Sequence, residues 1–188
     1  MNFPASRLLP CAALALVYLA SFGTGGRAQP ASAQKPTDDV LTVWRRTIGS
    51  AKALALAGQI VPAEQALVPF VSTRPGTAEW HLQVAAQLMR LVGSLAIDGN
   101  VAAQHAVAGR ALDHLREAEQ MAPDARGVAQ ALQQTGLIQE KVLLDVPAAK
   151  ESYRQAAAAD SHNTVAAAAY QRLEKATDEL NRKAKIGG

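Results

Sequence analysis

Apolar residues recur along this chain at intervals of three and four. Leu41, Trp44, Ile48, Ala51 and Ala55 form one such series, and Trp80, Val84, Leu88, Leu91 and Leu95 form another. Ala108, Leu112, Leu115 and Ala118 repeat the spacing, as do Val128, Leu132, Thr135, Ile138 and Val142, and then Val165, Ala169, Leu173, Ala176 and Leu180. Each series lays one stripe along one face of an α-helix. No stretch alternates with a period of two for long enough to predict a sheet.

Helix-breaking residues fall between the stripes. Gly58 closes the first, and Pro62 fits the first turn of the next, where its missing N–H costs nothing. Arg74-Pro75-Gly76-Thr77 reads as a turn with Thr77 as N-cap, and Asp98-Gly99-Asn100 as a tight reversal. Ala122-Pro123-Asp124, Asp145-Val146-Pro147 and Asp160-Ser161-His162-Asn163 each end one helix and cap another. The expected elements are seven helices, near 37–57, 61–73, 77–97, 101–122, 125–144, 147–159 and 164–184. Pro69 is the misfit, since it should kink the second. Connections this short make neighbouring helices antiparallel.

Composition refines the picture. Of 188 residues 49% are hydrophobic but only 4% aromatic, so the core must be built from Ala, Leu and Val, which suits closely packed helices. A single cysteine, Cys11, excludes a disulfide framework and any multi-thiolate metal site.

The N-terminus reads as an address. Met1 to Arg7 carries one positive charge, Leu8 to Phe22 is free of charge, and Gly23-Thr24-Gly25-Gly26 then breaks the run. Small-residue cleavage sites follow at Gly26-Arg27-Ala28 and Ala31-Ser32-Ala33. The apolar run of about 15 residues falls short of the roughly 20 needed to cross a hydrocarbon core. Residues 1–33 are therefore expected to be a secretory signal peptide and 34–188 the mature domain, periplasmic or secreted. The rival is an uncleaved membrane anchor. Cys11 opens the apolar run instead of closing it, and Pro10 before it is wrong for a lipidated cysteine.

Cleavage would remove Arg7 and Arg27 and no acid, leaving 17 basic against 16 acidic residues. With so little excess charge and no basic face with interleaved aromatics, nucleic acid is not an expected partner. No cofactor is expected either. The four histidines, His81, His105, His114 and His162, include no i, i+4 pair and no H-E-x-x-H or E-x-x-H run. His105 falls near an apolar stripe, the place of a core histidine, and the other three read as solvated. Gly-Ser pairs at 49–50 and 93–94 lack the G-x-S-x-G frame, and there is no phosphate-binding glycine loop. Asp113, Glu117 and Glu119 with Arg110 and Arg116 read as a solvated helix face with local ion pairs. The basic residues between Arg172 and Lys185 suit the end of a helix dipole better than an anionic membrane.

A finer pattern recurs. Ala63, Leu67, Phe70 and Pro75 lie at offsets 0, +4, +7 and +12, and so do Ala111, Leu115, Ala118 and Pro123. Ala149, Tyr153, Ala156 and Ser161 repeat it with Ser for Pro. A small residue lets a paired helix approach, a large one fills the groove, a third continues the face, and Pro stops the helix. This spacing resembles the second helix of a tetratricopeptide repeat. Asp145 to Asn163 is similar to the second half of one repeat without a gap, and Leu115 to Asp124 to the end of another. The similarity covers roughly 37–163, with 164–184 resembling the solvating helix that closes such arrays. The separation from Ala63 to Ala111 is 48 residues and from Ala111 to Ala149 is 38, against about 34 in the family. Hairpins longer by whole turns accommodate the excess.

The expected fold is therefore all-α: antiparallel helix pairs stacked as a short tetratricopeptide-like superhelix with a closing helix, or, as the alternative, a helical bundle. The resemblance implies a scaffold or assembly factor whose first helices face a groove for a protein or peptide; the N-terminal pattern makes it exported, and the missing catalytic constellations make it non-enzymatic. Gln83, Gln87 and Arg90 on the third helix, and Gln130, Gln133, Gln134 and Glu140 on what reads as the exposed side of the fifth, are the candidate partner-binding residues. One alternative is a helical-bundle carrier of a small ligand or metal, with His105 or His114 as the residues to suspect. Another is a membrane-tethered assembly factor, which needs the N-terminal segment retained.

Overall fold

A computed structural model describes residues 38–186. The signal-peptide expectation for residues 1–33 and the polar leader Gln29 to Lys35 lie outside the described residues.

Among the described residues seven α-helices follow one another: α1 Asp38–Leu56, α2 Ile60–Leu67, α3 Ala78–Ile97, α4 Val101–Met121, α5 Ala125–Lys141, α6 Val146–Ala159 and α7 Thr164–Ile186. No strand occurs among the described residues. The predicted caps form. Thr77 Oγ1 accepts from Trp80 N, Asp124 Oδ1 from Gly127 N, Asp145 Oδ1 from Ala148 N, and Asn163 Oδ1 from Ala166 N. Each satisfies one N–H that its helix leaves without a partner. The second helix departs from expectation: it ends at Leu67, six residues early, and a 3₁₀ turn, Val68–Phe70, carries Pro69. Proline has no N–H to give the helix, and its ring collides with the carbonyl four residues back.

The helices pack as pairs, α1 with α2, α3 with α4 and α5 with α6, and α7 closes on α6. The three repeated spacings all point inward. Ala63, Leu67, Ala111, Leu115, Ala118, Ala149, Tyr153 and Ala156 are buried, and Phe70 is half-buried. α3 is central. Beyond its predicted stripe it also buries Leu82, Ala85, Ala86, Met89 and Val92.

The interior forms two clusters. One joins residues of α1–α4 with Ala131 and Ile138 of α5. The other joins Leu132 of α5 with Ala149, Tyr153 and Ala156 of α6 and Ala166 and Leu173 of α7. α5 is the shared wall.

The last stripe needs correction. On α7 the inward residues are Ala166 and Leu173, with Ala169 and Tyr170 packed beside them, whereas Val165, Ala176 and Leu180 are exposed. With a partner on one side only, α7 buries a narrower stripe, and 178–184 stand exposed throughout.

Candidate functional site

The polar interior is organised by two buried carboxylates. Glu64 on α2 lies one position after the small Ala63 and three before Leu67, on the face that packs inward. Arg110 of α4 holds it with two nitrogens, Nε on Oε2 and Nη2 on Oε1. His114, one turn along α4 and only 5% exposed, brings Nε2 to 3.2 Å from Glu64 Oε1, within ion-pair range though off the alignment of a good hydrogen bond. Its other nitrogen, Nδ1, is 3.0 Å from Nδ1 of His81 on α3. The Trp80 ring stands edge-on to both imidazoles, with centroids 4.9 and 5.6 Å away. Burial alone would raise the pKa of Glu64, but His114 and Arg110 outweigh it and hold the pKa at about 2. His81 is pushed below its ordinary value, first by burial and then by His114 beside it.

The second carboxylate is Glu140 at the end of α5. It accepts from Arg172 Nη2 of α7 at 2.7 Å and from the Tyr153 hydroxyl of α6 at 3.2 Å, and Lys141 pairs with its other oxygen. Burial works to raise its pKa, but the contacts with Arg172 and Lys141 dominate and lower it. Tyr153 is pushed up by its own burial and by Glu140. Three helices meet on this one side chain.

Several expected sites change accordingly. Glu140 and Gln134, placed on an exposed side of the fifth helix, are buried, at 8% and 6% exposure. Glu140 turns to Tyr153 of α6 and Arg172 of α7, whereas Gln134 falls on the stripe of Ala131 and Ile138, which joins the cluster of the preceding helices. Gln87 is buried too, and its Oε1 accepts from Arg90 Nη1. Gln83 is half-buried and tied down: Oε1 accepts from Ser72 N, and Nε2 donates to Glu79. It fastens the α2–α3 connection to α3. Of the candidate partner residues only Arg90 is exposed, with Gln83, Gln130 and Gln133 half-buried. The two groups stand on α3 and α5, which each pack on α4 between them.

The histidines are rearranged as well. His105, expected near the core, is exposed. His114, expected in solvent, is buried, and His81 is half-buried against it. Arg110, expected on a solvated face, turns to Glu64, while Arg116 keeps the local pair with Asp113. A signal for His114 was present, since Ala111, His114 and Ala118 continue the inward spacing of α4. Nothing local marks His81 as its partner across 33 residues.

Among the described residues no three His, Cys, Asp or Glu side chains gather so as to hold a metal ion. Nor is any described helix long and apolar enough to cross a membrane. No protein-family model matches the chain, and no significant match is found among curated proteins or solved structures.

Proposed function

We propose that this chain is an exported, non-enzymatic interaction module: a short tetratricopeptide-like array that holds a protein or peptide partner. The observation that carries the reading is the common inward face of α2, α4 and α6, where the residues at offsets 0 and +4 are buried on all three helices and those at +7 on α4 and α6. The Gly136–Tyr153 contact supports it: a β-carbon at 136 would stand 2.9 Å from the ring, an approach between paired helices that needs glycine. So do the two clusters sharing α5, because stacked repeats bury their surfaces against nearest neighbours instead of around one centre.

In such arrays the first helix of each pair faces the groove, which assigns the partner to α3 and α5 through Arg90, Gln130 and Gln133. Glu140, Gln87 and Gln83 serve the fold on this reading. The test is crosslinking and affinity capture of the tagged protein from the exported fraction, with Arg90→Glu and Gln133→Glu as probes. A recurrent partner lost in these variants, with circular dichroism unchanged, supports the reading. Retention of the protein with Met1 intact in the membrane fraction would overturn export, and a partner indifferent to both substitutions would overturn the first-helix face.

A further inference from the structure

The imidazoles of His81 and His114 are oriented beyond what packing asks of them. Glu64, fixed by Arg110, accepts hydrogen bonds and cannot donate them, so the proton of a neutral His114 belongs on Nε2, the nitrogen facing that carboxylate. Its Nδ1 then turns a lone pair toward His81. Setting one ring nitrogen against a carboxylate, here at 3.2 Å, while the other faces a ligand is how proteins orient metal-binding histidines. His81 offers the same atom from the neighbouring helix, 3.0 Å away. Trp80, edge-on to both rings, limits how far either turns.

We propose that His81 Nδ1 and His114 Nδ1 form a two-histidine site for a borderline divalent cation, Zn²⁺ or Cu²⁺, with water in the remaining positions. Zinc–nitrogen bonds of about 2.0–2.1 Å at a tetrahedral angle set the two nitrogens about 3.3 Å apart. The observed separation is a few tenths of an ångström shorter, a difference that a small turn of the half-exposed His81 ring supplies. Imidazole nitrogen selects these ions over Mg²⁺ and Ca²⁺, which take oxygen. The partial exposure of His81 gives the cation a way in. Burial, His114 and Arg110 oppose positive charge at His81, and Glu117 and Glu64 offset part of that. Two protein ligands make a site of modest affinity. The inference does not depend on the interaction reading, because a partner on Arg90 and Gln133 needs no cation at this pair.

The test titrates the full chain with zinc sulfate and, separately, copper(II) sulfate by calorimetry, with Cys11 replaced by Ser in every sample to remove thiol binding. One equivalent is expected. His81→Gln should weaken it at least tenfold with unchanged circular dichroism, and the copper(II) sample should show two nitrogen couplings by electron paramagnetic resonance. His105→Gln and His162→Gln should leave it unchanged. Since His114 is buried and its variant is the one at risk of unfolding, His81→Gln decides. No binding by the parent chain would reduce the pair to a plain N–H···N hydrogen bond and overturn the proposal. Binding that survives His81→Gln, or falls equally with His105 or His162, would overturn it too.

Discussion

At Gly136 a β-carbon would meet two carbons of the Tyr153 ring at 2.9 Å, and that ring is anchored through its hydroxyl to Glu140. Gly136→Ala gains helix propensity but must displace the ring, so a net loss of about 1–2 kcal/mol is expected, read by urea denaturation. Leu144 presents the opposite case. It has φ +57° and is 76% exposed, at the place in the α5–α6 turn where the first two hairpins have Gly58 and Gly99. A side chain in the left-handed region costs about 1–2 kcal/mol, partly offset by its smaller unfolded-state entropy. Leu144→Gly should therefore stabilise by up to about 1 kcal/mol and raise Tm by a few degrees. Both residues are visible in the sequence. Only the turn's backbone and the ring's position give them opposite signs.

The same contrast holds for charges between elements. Arg110 ties α4 to α2 through a carboxylate that is 6% exposed, whereas Arg116 pairs with Asp113 on the surface of its own helix. Arg110→Met leaves Glu64 buried without its main partner and should cost about 2–3 kcal/mol, below the full range for buried pairs because Arg110 is itself about a third exposed. Arg116→Met should cost less than about 0.5 kcal/mol. Sequence reading put both arginines on one solvated face, because helical spacing says which residues share a side but not which neighbour covers it. Glu140 adds a pH dependence. Its folded-state pKa lies below the ordinary carboxylate value of 4.5, so its contribution is present above that value and is lost as pH falls below it toward the folded pKa. Thermal melts from pH 7 to 3 should show Glu140→Gln least stable relative to the parent at pH 7. The gap should narrow below about pH 4.5.

Across the whole molecule, two clusters meeting on α5 imply uneven stability. The first draws on five helices and contains the central α3, while the second rests mainly on α5–α7. Hydrogen exchange should be slowest in α3, faster in α6 and fastest along 178–184, where every side chain is exposed. Leu173→Ala, in the second cluster, should speed exchange in α6 and α7 and leave α3 nearly unchanged. Equal acceleration in α3 would mean that the two clusters open as one.

Local interactions made much of this legible in the sequence. The seven helices of the described residues, their caps and the reversals at Gly58, Gly76 and Gly99 follow from apolar periodicity and from residues that satisfy or break a helix end, so neighbours a few positions apart decide them. The offsets shared by α2, α4 and α6 likewise marked the faces that pair. Tertiary structure alone decided what covers each remaining face. It buried Glu140 and Gln134, exposed His105, rotated the stripe of α7, and brought His81 to His114 and Glu64 to Arg110 across 33 and 46 residues. A helix's own sequence fixes which side chains share an angle around its axis, whereas burial at that angle depends on the partner helix that arrives there, and no local spacing records its approach.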